Sequence, residues 1–125
     1  MARKLGANER PVDWVGSSKK DFMTFPAAVI SEMGYALGVA QLGGTHPSAK
    51  PWRGEGSGVF ELVEDHDGDT YRAVYTVRFK EVLYMLHAFQ KKSKSGIKTP
   101  QTDVETVKRR LKAAQEDHAK RFGKK

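Results

Sequence analysis

The chain has 125 residues, contains no cysteine and carries a formal net charge of +7. That length suits one domain, and a composition of 38% hydrophobic and 30% charged residues is typical of a globular protein. The lack of cysteine excludes disulfides, a cysteine-based zinc site and a thiol nucleophile. Its apolar runs are too short to span a membrane, and no signal peptide is recognisable, so we expect a cytoplasmic protein.

The positive charge is concentrated in the second half of the sequence. Residues 1–64 contain 7 basic and 7 acidic side chains, whereas residues 65–125 contain 15 basic and 8 acidic ones. An excess of this kind is typical of proteins that bind a polyanion such as a nucleic acid. A charged, solvated surface is the alternative interpretation.

Hydrophobic spacing predicts the elements in chain order. Residues 12–15 alternate as a short strand, residues 19–25 form a short helix that Ser17 or Ser18 caps, and Pro26 begins a long helix over 27–42. Within that helix, the four-residue spacing of Gly34 and Gly38 suggests close packing against another element. A loop follows over 45–57. Its glycines match neither the Walker pattern nor the dinucleotide fingerprint.

The second half reads as three strands and a helix. Alternating or apolar runs at 59–63, 71–78 and 81–89 are joined by short links, which predicts an antiparallel meander with a turn at 65–69. A basic loop over 90–100 leads to a helix that starts at Pro100 or Thr102. The fold class is α+β in the order βααβββα: a small antiparallel sheet, two helices on one face and a terminal helix folded back. We expect a flexible leader (1–11), one domain (12–118) and a basic tail (119–125).

The four histidines show no metal-ligand spacing, so we expect neither a metal nor a cofactor. His87 is unusual because it lies in an apolar strand, two residues before the basic loop. It is either a hydrogen-bonded core histidine or an acid/base group.

Cations converge at one end of the predicted sheet. In an antiparallel meander, the start of strand 71–78 lies beside the end of strand 81–89, which places Arg72 near Gln90, Lys91 and Lys92. Such a group suits the phosphates of RNA. Alternatively, Arg72 forms an ion pair with a carboxylate such as Glu61. Further candidates for RNA contact are the loop cations Lys50 and Arg53, a stacking Tyr71, and the lysines Lys94 and Lys98.

These segments resemble the toxin subunits of the RelE/HigB superfamily, most closely the phage-derived Gp49-like HigB group. The resemblance covers residues 12–115 and rests on several pieces in order. They are Trp14-Val15-Gly16-Ser17-Ser18, Gly34-Tyr35-Ala36-Leu37, Gln41-Leu42-Gly43, Ala49-Lys50-Pro51, Val59-Phe60-Glu61-Leu62, Tyr71-Arg72-Ala73-Val74-Tyr75, Leu86-His87-Ala88-Phe89-Gln90-Lys91-Lys92-Ser93 and Thr99-Pro100.

The resemblance implies a toxin of a type II toxin–antitoxin system. Such toxins enter the ribosomal A site and cleave mRNA, and a helix-turn-helix antitoxin neutralises them and connects them to operator DNA. It also implies that Arg72 contacts the scissile phosphate and that Lys91 and Lys92 are active-site cations. Cleavage would proceed by attack of the substrate's 2′-OH on the adjacent phosphate, without a metal.

The chain departs from the family pattern in two places. Val59, Glu61 and Val63 stand where relatives carry a basic pair, and no tyrosine follows Tyr84. The general base is therefore open between His87, Lys91 and Lys50. The competing hypothesis is an inactive module of phage origin that binds nucleic acid or an antitoxin.

Overall fold

A computed structural model describes residue 6 and residues 8–91 and 99–123. Its elements are β1 (Val12–Trp14), α1 (Ser18–Phe22), α2 (Ala27–Gln41), β2 (Ala49–Pro51), β3 (Val59–His66), β4 (Asp69–Thr76), β5 (Leu83–Lys91) and α3 (Gln101–Phe122). The predicted βααβββα order is confirmed, with β2 as an additional strand. Among the described residues, no helix is long and apolar enough to cross a membrane.

The five strands form one sheet in the order β1-β5-β4-β3-β2. The predicted meander of β3, β4 and β5 is antiparallel, and a two-residue turn at Asp67 and Gly68 joins β3 to β4, both residues having positive φ. The sheet as a whole is mixed rather than antiparallel, because β1 pairs parallel to β5 at the edge.

Strand β2 lies in the segment predicted as a loop. It has only three residues, includes Pro51 and pairs with β3 so that Lys50 lies opposite Glu61. Proline cannot donate to a ladder and is confined to edges, and three residues are too few to show an alternating pattern.

Hydrophobic cores cover both faces of the sheet. On one face, α1 and α2 pack through side chains such as Phe22, Val29 and Met33. On the other face, α3 packs through Val107, Leu111 and Ala114; we call this face the α3 side. The predicted placement of two helices on one face is thus confirmed, and the terminal helix lies on the opposite one.

Three local expectations change in the structure. A Cβ atom added at Gly34 or Gly38 would meet nothing within 4 Å, so neither glycine mediates close packing. Ser17 occupies the N-cap of α1 without capping it, since its hydroxyl donates to the Asp21 carboxylate at 2.8 Å. Arg10, in the predicted leader, donates to the carbonyl oxygen of Val77 at 3.1 Å.

The last helix also differs from its predicted limits. It continues to Phe122, into the segment predicted as a basic tail. Arg121 lies in its last turn and pairs with Asp13 and Asp117. These pairs connect the end of α3 to β1.

Candidate functional site

A bulge in β5 determines which side chains reach the α3 side. Val74 pairs with His87 and Tyr75 pairs with Met85, which leaves Leu86 as an extra residue on β5. Leu86 and Phe89 belong to the α3-side core, whereas Ala88 belongs to the other core. A bulge re-aims the side chains beside it. Here, it turns both Leu86 and His87 toward α3.

His87 forms a hydrogen-bonded pair with the first turn of α3. Its Nε2 lies 2.7 Å from Oδ1 of Asp103, and the side chains are 11% and 22% exposed. The ring stacks on Phe89, with a centroid distance of 4.8 Å. Nδ1 is buried and has no hydrogen-bond partner among the described residues. An imidazole oriented by a carboxylate through one nitrogen has the other nitrogen available for proton transfer.

Arg72 projects from β4 onto the same face and pairs with Glu61 of β3. The Nη1–Oε1 distance is 2.7 Å, and both side chains are mostly buried. The ion pair that the sequence offered as the structural role of Arg72 is therefore present. Arg72 Nε is buried without a partner among the described residues, so the guanidinium keeps unused donor capacity.

The pairing register arranges these groups in two neighbouring rows across the sheet. Glu61 lies opposite Val74, and Val74 lies opposite His87. In the next row, Arg72 lies opposite Phe89. Glu61 and His87 are therefore two strand spacings apart, about 9.5 Å, with Arg72 on the strand between them.

The remaining predicted site residues are distributed unevenly. Lys91 pairs opposite Thr70 and is 8% exposed, and strand alternation places it on the face of Phe89. Gln90 is half-buried opposite Tyr71. Lys92, Lys94 and Lys98 lie outside the described residues.

The structure does not place Tyr71 where base stacking would require it. Its ring is 8% exposed within the core under α1 and α2, and it meets Phe25 edge-on at 4.9 Å. Arg72, its neighbour in the strand, points to the opposite face. A base bound beside Arg72 therefore cannot reach the ring of Tyr71.

Lys50 and Arg53 are exposed, as expected for residues that contact a ligand from a loop or edge. Arg53 borders a pocket of about 230 Å³ beside Glu61. The pocket is lined by Pro51, Trp52, Arg53, Glu61, Thr99 and Val104. Trp52 is 6% exposed, and its Nε1 is a third buried nitrogen without a partner among the described residues.

Arg110 supports the bulge from α3, a role that the sequence did not reveal. Arg110 stands in a basic run with Lys108, Arg109 and Lys112, but its side chain turns inward. It donates to the carbonyl oxygen of Leu86 at 3.0 Å and to Ser17 Oγ at 3.0 Å. Burial, and secondarily the charge of Arg109, lowers the pKa of Arg110.

Among the described residues, no three His, Asp or Glu side chains are grouped so that they could hold a metal ion. The arrangement instead combines cations, a histidine–aspartate pair and a carboxylate on one sheet face. Those groups suit acid–base chemistry at a phosphate.

Two solved structures are similar to this one. The Escherichia coli toxin RelE, solved as a double-substituted mutant in the free state, matches with a TM-score of 0.53 and 18% identity, over 84% of this chain and 97% of that one. The toxin–antitoxin complex RelBE2 from Mycobacterium tuberculosis also matches, with a TM-score of 0.46 and 18% identity, over 66% of this chain and 99% of that one. The match to Escherichia coli RelE shows that the fold is of the RelE type.

The family model "Phage derived protein Gp49-like (DUF891)" matches residues 20–112. The chain belongs to that family. This match confirms the resemblance recognised in the sequence. A search of curated proteins found no match.

Proposed function

We propose that this protein is the toxin of a type II toxin–antitoxin system and acts as an endoribonuclease on mRNA in the ribosomal A site, which stops translation. Membership of the Gp49-like family and the RelE-type fold support this proposal. The observation that carries it is the placement of Arg72 and the His87–Asp103 pair in adjacent rows of one sheet face.

In this proposal, the 2′-oxygen of one nucleotide attacks the adjacent phosphorus. The bond from phosphorus to the 5′-oxygen breaks, and the products are a 2′,3′-cyclic phosphate and a free 5′-hydroxyl. Arg72 stabilises the negative charge that develops on the phosphorane oxygens, and Lys91 and Lys92 add positive charge. His87 takes part in proton transfer. Lys50, Arg53 and the lysines Lys94 and Lys98 hold the RNA backbone.

The partners in this proposal follow from the family resemblance. A helix-turn-helix antitoxin neutralises the toxin, operator DNA is contacted only through that antitoxin, and the protein acts in the cytoplasm. Co-expression with the adjacent gene tests whether that gene encodes an antitoxin that neutralises the protein.

A second candidate function is an inactive binding module with the same fold. It is favoured by the Arg72–Glu61 ion pair, because a guanidinium already paired with a carboxylate is less available to a phosphate. The two candidates differ in whether induction of the protein produces new mRNA ends.

The test is induction of wild-type protein, Arg72→Ala and Arg109→Ala in a bacterial host, with mapping of mRNA 5′ ends. Arg109 is an exposed arginine on α3 and controls for the loss of one charge. We expect growth arrest and new 5′ ends for wild type and Arg109→Ala. For Arg72→Ala, we expect the rate of mRNA cleavage to be about 10²–10³-fold lower. Intact transcripts with soluble wild-type protein would contradict the toxin and favour the binding module.

A further inference from the structure

A small cavity lies on the sheet face that α1 and α2 cover. It has a volume of about 100 Å³ and lies where the end of α2 meets β3 and β4. The exposed turn over residues 43–45 borders it, and Phe60 and Tyr75 line it from the sheet. Tyr75 belongs to the core under α1 and α2, whereas Arg72 projects to the α3 side. The cavity is therefore separate from the candidate active site.

The hydroxyl of Tyr75 is a polar group inside this cavity wall. The side chain is 1% exposed, and its ring stacks on Phe60 with a centroid distance of 5.8 Å. In the part of the chain that the structure describes, the hydroxyl forms no hydrogen bond. Burial raises the pKa of Tyr75, so the hydroxyl keeps its proton at neutral pH and can donate it in a hydrogen bond. A buried hydroxyl is costly unless a group in the cavity accepts that bond.

Arg10 supplies the charge of the cavity, and its position is fixed from two sides. Its backbone N–H donates to the carbonyl oxygen of Gln41 at 3.0 Å, and its own carbonyl oxygen accepts from Gln41 Nε2 at 2.7 Å. Its Nη1 donates to the carbonyl oxygens of Val77 and Phe79 at 3.1 and 3.2 Å. No carboxylate of the described residues pairs with this guanidinium, which keeps Nε and Nη2 available as donors.

These groups determine the class of ligand that the cavity suits. The fork of donors on a guanidinium matches a carboxylate, and the tyrosine hydroxyl adds one more donor. Of the described residues that line the cavity, Arg10 alone is charged, whereas Ala40, Phe60 and Val77 present apolar surface. A doubly charged phosphate would bring one charge more than this single cation balances. A carboxylate balances the cation, and a short aliphatic stem suits the apolar wall.

We propose that this cavity binds a carboxylate that carries a short aliphatic stem. Arg10 pairs with the carboxylate, the hydroxyl of Tyr75 donates to one of its oxygens, and the stem lies against Phe60. Both donors are positioned before the ligand arrives, because Gln41 holds Arg10 and the core holds Tyr75. Binding therefore loses little conformational entropy. The same group is presented by a free small acid and by the carboxyl end of a polypeptide, and the inference does not depend on the proposed ribonuclease activity.

The first experiment compares two small probes of the same shape. Labelled protein is titrated with isobutyrate and with the neutral isobutyramide, and the amide NMR signals of Gly44 and Thr45 report on the cavity. We expect saturable shifts with isobutyrate and binding at least about tenfold weaker with isobutyramide, because the charge-assisted contacts are lost. Equal binding of the two probes, or no saturable shift with isobutyrate, would overturn the proposal.

The second experiment assigns the binding to the two donors. Tyr75→Phe removes only the hydroxyl, and Arg10→Gln removes the charge. We expect each change to weaken isobutyrate binding about tenfold or more. The controls Tyr35→Phe and Arg109→Gln alter exposed residues on α2 and α3 outside the cavity and should bind as wild type does.

The decisive variant is Tyr75→Phe, because the hydroxyl that it removes bonds to no described residue and the fold should tolerate its loss. If Arg10→Gln does not fold, Tyr75→Phe still tests the site. An affinity for isobutyrate that is the same in Tyr75→Phe and wild type would show that the probe binds elsewhere, and the proposal would be wrong.

Two further probes define the class and the source of the ligand. Inorganic phosphate that binds more tightly than isobutyrate would overturn the assignment of a carboxylate. N-acetylvaline carries the carboxylate and branched stem of a C-terminal residue. Tighter binding of N-acetylvaline than of isobutyrate would indicate the carboxyl end of a polypeptide, and weaker binding would indicate a free acid. Either order supports the site when Tyr75→Phe lowers both affinities.

Discussion

Tyr75 and Tyr84 are buried side chains with strongly favoured neutral forms. Tyr75 is 1% exposed and stacks on Phe60 at 5.8 Å. Burial raises the pKa of Tyr75 to about 12. Burial, followed by its hydrogen bond to the Asp117 carboxylate at 2.6 Å, raises the pKa of Tyr84 as well. The folded protein therefore holds these protons more tightly than the unfolded chain does.

The pKa of Tyr75 predicts a loss of stability at alkaline pH. An unfolded tyrosine titrates near pH 10, so the contribution of Tyr75 is complete below about pH 10 and is lost as the pH rises toward about 12. The expected change is about 2–3 kcal/mol in the free energy of unfolding. Urea unfolding of wild type and Tyr75→Phe across this range measures it, with Tyr35→Phe as the exposed control. An equal dependence of the free energy of unfolding on pH in wild type and Tyr75→Phe would contradict the prediction.

At the residue scale, the sequence predicted which face of the sheet a side chain occupies better than it predicted which residues that side chain contacts. Period-two alternation puts Arg72 on the face away from Tyr71 and Tyr75, which belong to the core under α1 and α2. The ion pair with Glu61 was one of the two roles expected for Arg72. Alternation also shows that Tyr71 cannot share a ligand with Arg72. The row that joins Glu61, Val74 and His87 was hidden because it depends on the long-range pairing of β3, β4 and β5.

At the element scale, the bulge in β5 is held by a single side chain from α3. The guanidinium of Arg110 donates one hydrogen bond to the carbonyl oxygen of the extra residue, Leu86, and another to Ser17 Oγ at the start of α1. Gly16, with φ +58, lies so close that a Cβ atom would be 2.8 Å from Arg110 Nε. The arginine thereby connects three elements around the residue that precedes His87.

Removing this side chain should destabilise the fold. We expect Arg110→Ala to lower the free energy of unfolding by about 1–3 kcal/mol, because a buried carbonyl loses its charged donor. Arg109→Ala, one residue away and exposed, should change it by less than about 0.5 kcal/mol. Urea denaturation of the two variants provides the comparison. Equal stabilities would show that the bulge does not depend on Arg110.

Helix α2 contains glycines that no packing contact requires. Gly34 lies in its interior, and a Cβ atom there would meet nothing within 4 Å. Gly43 follows the helix with equal free space but with φ +92. The two positions thus separate the effect of helix propensity from that of backbone conformation.

We expect Gly34→Ala to stabilise the protein by about 0.5–1 kcal/mol, since alanine is the better helix former. Gly43→Ala should destabilise it, because an alanine is strained in the left-handed region. Thermal unfolding of both variants measures the two effects. A destabilised Gly34→Ala would indicate that another surface covers this helix face.

The elements that the sequence missed share a physical cause. β2 has three residues, and the partner of β1 lies some seventy positions away along the chain, so no local periodicity reports either pairing. The bulge falls within the mostly apolar stretch 82–89, where hydrophobic alternation does not show which face each side chain occupies. Long strands and helices were predictable because each contains enough residues to show its hydrophobic periodicity.

At the scale of the whole molecule, the fold redistributes the charge that the sequence concentrates in one half. Lys50 and Arg53 come from the electrically neutral half, yet β2 brings Lys50 opposite Glu61, and Arg53 borders the pocket. The exposed Lys19 and Lys20 lie on α1, which packs on the other face of the sheet. The α3 side therefore receives cations from both halves of the chain.

This distribution predicts a face-specific dependence of RNA binding on salt. Each contact between a cation and a phosphate of single-stranded RNA contributes about 0.7 to the slope of log affinity against log salt concentration. We expect the double variant Lys50→Ala/Arg53→Ala to bind RNA more weakly and with a slope reduced by about 1.4, if each side chain meets one phosphate. The double variant Lys19→Ala/Lys20→Ala removes the same charge from α1 and should leave the slope unchanged. Titration of a fluorescent, non-cleavable RNA at several salt concentrations measures both slopes. Equal reductions in the two variants would show that RNA responds to net charge alone, whereas a reduction confined to Lys50 and Arg53 would place the RNA path along β2, on the Glu61 side of Arg72.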